Sequence, residues 1–241
     1  VNMVYDNRDR LVMVQDAKLK TTPARWLVTK YDGLNRPVET GLWTNATVVA
    51  THRINAAAAT NPYPATTSGY ELLSVTHYDD YTSIPAVSGL DNSVDNSYNS
   101  YIITSYNSSP AYAQQIPATA SVKTQGMITW TQTKILGSSP AAYTYSVNIY
   151  DDRGRLVQVK SKNHTGGIDI ITTQYSWAGQ PLVTVEKRVN ASGSGQTNII
   201  VTKMEYDDLG RLLTVKKQLS NTANGVTITK PEQAIVQHEY D

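Results

Sequence analysis

The chain has 241 residues with 21 Lys and Arg against 20 Asp and Glu and a net charge of +1, enough for one large or two ordinary domains and without the basic run that tracks a phosphate backbone. It has no Cys, which excludes a disulfide framework and a thiolate metal site. No apolar run approaches the about 20 residues that span a bilayer, and no signal-peptide pattern opens the chain.

Sixteen Tyr, no Phe and 17% charged residues, with abundant Thr, Ser, Asn and Val, favour strands and turns. Residues 1–16 read as a hairpin: a strand ending at Tyr5, a turn over 6–10 and a return strand through Leu11, Val12, Met13 and Val14. Trp26–Tyr31 and Pro37–Trp43 repeat that plan. The Ala-rich stretch 45–59 suits a short helix with Thr44 or Asn45 as N-cap, stopped by Asn61-Pro62-Tyr63-Pro64 because proline disfavours helical geometry in the residue before it. Glu71–Tyr78 alternates as a strand and leads into Tyr78-Asp79-Asp80-Tyr81, a partial copy of the motif described next. From Thr82 to Gln115 the sequence is loop-like, as for an insertion on the surface or crossing between layers. Met127–Leu136 and Ala142–Tyr150 form a strand pair about the turn Gly137-Ser138-Ser139-Pro140, and strand–turn–strand units follow, with a tip at Asn190–Gln196.

One frame recurs. It reads Tyr5-Asp6-Asn7-Arg8-Asp9-Arg10, then Tyr31-Asp32-Gly33-Leu34-Asn35-Arg36, Tyr150-Asp151-Asp152-Arg153-Gly154-Arg155 and Tyr206-Asp207-Asp208-Leu209-Gly210-Arg211. Tyr175-Ser176-Trp177-Ala178-Gly179-Gln180 is a degenerate copy, and the chain closes on Tyr240-Asp241, the opening of another. Starting at Val1 and ending inside a repeat, it reads as an internal piece of a longer polypeptide. Asp at the first turn position accepts backbone amides. The fourth position holds Asp9, Asn35, Gly154, Gly179 and Gly210, the residue types most tolerant of positive φ. The frame therefore predicts a type I turn closed by a left-handed bulge residue, joining antiparallel strands. Val12 with Val14, Val157 with Val159, Val183 with Val185, and Leu213 with Val215 are read as one apolar face; the other is mixed, with Leu156, Gln158 and Lys160 or Leu212, Thr214 and Lys216. The Tyr ring is expected over the turn or a neighbouring strand with its hydroxyl on a polar group. Arg10, Arg36, Arg155 and Arg211 are expected to pair with the Asp of their own or an adjacent repeat.

This frame resembles the YD repeat of the Rhs family, bacterial relatives of the teneurins, and Trp26–Leu42 is similar to the variety in long Bacteroidetes-type surface proteins. The resemblance implies a continuous curved or spiralling antiparallel sheet, part of a hollow shell that encloses a toxin-like C-terminal domain and is secreted or held at the cell surface. The family's C-terminal self-cleavage region is not recognisable in the chain. The expected organisation is a single shell fragment over 1–241: hairpins over 1–43, helix and loop over 44–70, strands with a long loop over 71–136, and regular hairpins over 137–241. Its expected partners are the rest of the shell and the enclosed domain.

Catalysis finds little support in the residues. The pairs Asp79/Asp80, Asp151/Asp152 and Asp207/Asp208 lie in repeat turns, where turn formation accounts for them; calcium would need further oxygens. His52, His77, His164 and His238 lack metal-site spacing and read as surface or cleft residues. Gly166-Gly167 and Gly193-Ser194-Gly195 read as hairpin tips, and no nucleophile elbow is present. Trp26, Trp43, Trp130 and Trp177 are read as exposed, packing the sheet's wet face or, alternatively, binding a cell-surface glycan or protein. The expectation is a non-enzymatic structural segment without cofactor or metal, whose open sheet edges invite self-association unless loops cap them.

Overall fold

A computed structural model describes residues 1–60, 62–66, 68–105 and 112–241. Asn61 of the expected helix stop, and 106–111 of the long insertion, lie outside the described residues. The fold is mainly β: among the described residues it is a 14-stranded antiparallel meander with one short α-helix. Its strands are β1 (Asn2–Tyr5), β2 (Leu11–Gln15), β3 (Arg25–Tyr31), β4 (Pro37–Thr44), β5 (Tyr70–Asp79), β6 (Thr124–Lys134) and β7 (Tyr143–Tyr150). There follow β8 (Leu156–Lys162), β9 (Ile168–Tyr175), β10 (Pro181–Asn190), β11 (Gln196–Tyr206), β12 (Leu212–Ala223), β13 (Val226–Thr229) and β14 (Gln233–Gln237). Sheet order follows chain order through β13, and β14 also pairs with β12. The last two strands, exposed throughout, carry no signal read from the sequence.

The chain forms two compact units, Val1–His77 with Thr131–Tyr143, and Tyr78–Trp130 with Thr144–Asp241. In the first, helix α1 (Val49–Ala58) packs Ala56 against Val4, Met13, Trp26 and Val28, all at most 1% exposed. The expected cap at Thr44 or Asn45 is corrected: the N-cap is Val48, whose apolar side chain makes no cap bond, and the Asn45 carboxamide accepts the Thr47 amide at 2.8 Å in a turn ahead of the helix. With no acidic residue in its first turn, α1 depends on burial. Each large apolar side chain so covered contributes about 1.5–3 kcal/mol.

In the second unit the segment between β5 and β6 takes the part that α1 plays in the first. It places Ala113 in a core with Leu182, Val183, Val185 and Val201, with Tyr98, Tyr101 and Ile103 packed alongside. Two short 3-10 turns, Ala86–Ser88 and Asn99–Tyr101, are its only helical pieces among the described residues.

The register corrects the face assignment. Gln158 lies opposite Thr172, and Thr172 opposite Val185; directly opposed residues share a face. Val183 and Val185 therefore lie with Gln158 and Lys160, not with Val157 and Val159. Val183 opposes Lys203, which opposes Lys216, so this face continues into Lys216 rather than into Leu213 and Val215. The covered face is the one three residues beyond the repeat's sixth position, which holds Met13, Gln158 and Val183, all at most 1% exposed.

Candidate functional site

The feature that recurs with constant geometry is the joint at each repeat turn. At 6–10 the Asp6 amide donates to the Arg10 carbonyl at 3.0 Å and the Asp9 amide to the Asp6 carbonyl at 3.1 Å. One Asp6 oxygen accepts the amides of Arg8 and Arg10 at 2.9 and 3.0 Å, and the other accepts the Arg10 guanidinium at 2.6 and 2.8 Å. The turns at 32–36, 151–155 and 207–211 repeat this set, with Arg Nε to Asp distances of 2.7, 2.7 and 2.6 Å. The Arg thus pairs with the Asp of its own repeat. Asp9, Asn35, Gly154, Gly179 and Gly210 have φ of 58, 64, 76, 88 and 79°, the left-handed values expected of them. A register shift falls in the strand just past each turn, where Val12, Val38, Val157, Leu182 and Leu213 are the extra residues, as a bulge requires.

Charge follows this geometry. Burial raises the Asp6 carboxyl, but the Arg10 side chain and the Arg10 and Arg8 amides outweigh it and hold the group below its usual value. At Asp32 and Asp207 burial is likewise outweighed by the amide and guanidinium of Arg36 and Arg211.

The tyrosines tie one turn to the next. Tyr31 donates its hydroxyl to the Leu11 carbonyl at 3.0 Å, Tyr175 to Leu156 at 3.0 Å, Tyr206 to Pro181 at 2.9 Å and Tyr240 to Leu212 at 2.9 Å. Each acceptor is the residue just after the sixth position of the preceding repeat. Arg10, Arg155 and Arg211 lie 5.0, 5.2 and 4.3 Å from the ring centroids of Tyr31, Tyr175 and Tyr240, within cation–π range. Arg155 also donates to the Ser176 carbonyl at 3.0 Å. Tyr240 makes the contacts of a full repeat Tyr, while Asp241 closes no turn. Tyr5 is 47% exposed, its hydroxyl near Met3.

The partial copy at Tyr78 is corrected into a split repeat. β5 runs on to Asp79, whose φ is 74°, and Asp80 turns the chain by accepting the Thr82 amide at 2.8 Å. The Asp79 carboxylate accepts the Gly126 amide at 2.7 Å, and its carbonyl accepts the Thr124 hydroxyl. Gly126 has φ of 79°, and Tyr150 donates to the Ile128 carbonyl at 2.8 Å. Gly126-Met127-Ile128 therefore stands where Asp9-Arg10-Leu11 stands in the first repeat, and the insertion lies inside a repeat turn.

Two glutamines hold that insertion, and no motif in the sequence marks them for it. Gln158, 1% exposed, accepts the Asp95 amide and donates to the Asp95 carbonyl, both at 2.9 Å. Gln174, also 1% exposed, does the same for Ile103 at 2.9 and 2.9 Å and donates to the Gln114 carbonyl at 3.0 Å. A carboxamide that pairs both the amide and the carbonyl of one residue replaces the strand that would otherwise satisfy them. Lys160 reaches Asp91 at 2.7 Å, and with Ser93 it holds the Asp91 carboxyl down at about 2. At 163–167, Asn163 builds the same backbone turn without an Arg: its amide donates to the Gly167 carbonyl at 2.9 Å, and Gly166 has φ of 85°. Gly166-Gly167 is thus the hairpin tip read from the sequence, and the spacing Asn163…Gly166 shows that it shares the backbone of the repeat turn.

Two expectations about single side chains are corrected. Trp26 and Trp130 are 1% and 6% exposed; Trp26 packs under α1, and Trp130 donates to the Thr82 carbonyl at 2.9 Å. His52 is 2% exposed rather than at the surface. Trp177 does stand out at 66% exposure, with the Arg153 guanidinium 4.0 Å from its ring. Arg153 also borders an open cleft of about 400 Å³ lined by Gln115, Ser121, Asp152 and Arg155. Among the described residues no three His, Cys, Asp or Glu side chains group as a metal site, and no helix is long and apolar enough to cross a membrane. The chain matches no protein-family model and no curated protein.

Proposed function

We propose that the chain is a non-enzymatic wall segment of an Rhs-type YD-repeat shell, secreted or at the cell surface, that encloses and helps deliver a toxin-like C-terminal domain. The observation that carries this reading is the joint itself. Asp and Arg close each full hairpin turn, and Tyr fastens it to the one before by a hydroxyl bond to the same relative carbonyl at Tyr31, Tyr175, Tyr206 and Tyr240. These are the side chains that an acid–base mechanism would recruit, and the joint already occupies their donors and acceptors. Containment needs a wall whose backbone pairing is continuous and whose joints are identical, and such joints supply it. The remainder of the shell and the enclosed domain are its partners.

Limited proteolysis of the native polypeptide that contains this chain tests the reading. A domain C-terminal to the repeats should resist cleavage while the wall is intact and be degraded once Asp6→Ala, Asp151→Ala and Asp207→Ala loosen the joints. Equal cleavage in both forms would overturn containment.

A second reading, a module binding a cell-surface glycan or protein, is favoured by the exposed Trp177 with Arg153 beside it. Glycan- and protein-array binding lost in Trp177→Ala would support it, and absence of binding across both arrays would count against it.

A further inference from the structure

Helix α1 is seated on the first unit's sheet through a histidine with no means of carrying charge there. The His52 ring meets Trp26 edge-on at 5.0 Å between centroids, with Trp43 at 5.8 Å and Tyr63 at 6.1 Å. Its Nδ1 lies 2.6 Å from the Tyr63 hydroxyl, while Nε2 is buried without a hydrogen-bond partner, as is Nε1 of Trp26 in the same cluster. Neutral imidazole can use Nδ1 as donor or acceptor and leave the other nitrogen idle. Imidazolium has a proton on both nitrogens, and the one on Nε2 would face aromatic carbon.

The surroundings offer no compensation. From α1 itself comes Arg53, a like charge whose Nε donates to the Met3 carbonyl at 3.1 Å. β3 and β4 bring Trp26 and Trp43, and the segment after α1 brings Tyr63, whose phenol burial raises. Tyr70 of β5 packs on the same cluster with Lys30 4.4 Å from its ring; burial and the neighbouring Glu39 push its phenol up. Its hydroxyl is buried without a hydrogen-bond partner. Burial alone pushes the His52 imidazole below its usual 6.5.

We propose that His52 is an acid-operated latch: taking up a proton, it releases α1 and uncovers the apolar face formed by Val4, Met13, Trp26 and Val28. The folded ring binds its proton more weakly than the unfolded chain does. The part of the α1 docking stability that rests on the neutral ring is therefore complete above about pH 6.5 and is lost as pH falls from there through the lower folded value. The pH changes which face of the unit meets solvent.

Hydrogen exchange of the 241-residue chain at neutral and mildly acid pH, corrected for the intrinsic pH dependence of exchange, tests the latch. Amides of α1 and of β1 to β3 should lose about tenfold or more in protection, while β8 to β11 keep theirs. His52→Phe, which fills the ring site without a titrating nitrogen, should abolish the difference. Unchanged α1 protection in the native chain, or an equal loss in His52→Phe, overturns the proposal. If His52→Phe does not fold, nuclear magnetic resonance titration of the His52 Cε1 proton in the native chain decides. A midpoint at or above 6.5 overturns the proposal, and a lower one with a coincident change in tryptophan fluorescence supports it.

Discussion

The turns at 151–155 and 176–180 belong to successive repeats in the second unit and share one backbone built from different side chains. Asp151 donates its amide to the Arg155 carbonyl at 3.0 Å and Ser176 to Gln180 at 2.8 Å; Gly154 and Gly179 close the inner bond at 3.0 Å each. Above that backbone they diverge. The Asp151 carboxylate accepts the amides of Arg153 and Arg155 and pairs with the Arg155 guanidinium. Ser176 accepts one amide, from Gln180, at 3.1 Å. The degenerate copy thus keeps the left-handed glycine and the position of the next Tyr but has no ion pair. The invariant requirement of the repeat is a backbone angle, and the Asp–Arg pair reinforces it.

The largest effect should come from removing what the first turn has and the second lacks. Asp151→Ala leaves two amides and a partly buried guanidinium without their acceptor, at about 1–3 kcal/mol for each unsatisfied group, so a loss of about 3 kcal/mol is expected. Ser176→Ala removes a single neutral acceptor and should cost about 1 kcal/mol. Urea unfolding of the two variants measures the gap; equal losses would mean that the carboxylate adds nothing to the joint.

Gly154→Ala and Gly179→Ala sharpen the comparison at the shared position. Both glycines have positive φ, where an L side chain costs about 1–2 kcal/mol. A methyl at 179 meets open space, whereas one at 154 comes within 2.7 Å of Met127 Cε, the end of a flexible side chain. The two losses should therefore lie within about 1 kcal/mol of each other, with Gly154→Ala the greater.

The tie between the turns is a smaller term. Tyr175→Phe removes the hydroxyl bond to Leu156 but keeps the ring by Arg155, so a loss of about 1 kcal/mol is expected. Faster hydrogen exchange in the turn at 151–155 should accompany it, since the deleted bond fastens that turn to the next.

Acid should separate reinforced from unreinforced turns. Asp6, Asp32 and Asp207 titrate below their ordinary value of 3.8 when folded. The unfolded chain then binds more protons between the two values, so the stability they contribute is complete above that value and drains as pH falls through the folded one. Exchange near 6–10, 32–36 and 207–211 should rise over that range, while the turn at 176–180, which has no carboxylate, should not respond.

The hairpins were legible in the sequence because a positive φ restricts residue type so strongly that Asp9, Asn35, Gly154, Gly179 and Gly210 mark their own turns. The faces were not. The bulge puts the sheet out of step with simple alternation, and matching Val183 to Val157 by apolarity slips the frame by one residue, which moves a side chain to the other face. Gln158 read only as part of the mixed face, and Gln174 drew no reading, for a related reason: a carboxamide is polar in sequence whether its partner is water or a backbone group 63 or 71 residues away. The split repeat at Tyr78 lost its signature because the insertion separates Asp79 from Gly126. His52 was misplaced because helix periodicity in an Ala-rich stretch does not say which side carries the sheet.

The smallest and most discriminating change would convert the degenerate turn into a full one. In Ser176→Asp with Gln180→Arg the carboxylate would gain the amides at 178 and 180, and the guanidinium would replace the Gln180 carboxamide that now donates to the Gly210 carbonyl at 2.8 Å. Arg155 donates instead to the Ser176 carbonyl, at the Asp position of the next turn, while pairing with Asp151, so one guanidinium can serve both turns at once. The double variant should gain about 1 kcal/mol over the native chain. Ser176→Asp alone should lose stability, because position 176 is 4% exposed and an uncompensated carboxylate there is poorly solvated. A double-mutant cycle measures the coupling directly. A coupling near zero would mean that the Asp–Arg pair follows from the turn without strengthening it; a clear favourable coupling makes it an independent support that this repeat has lost.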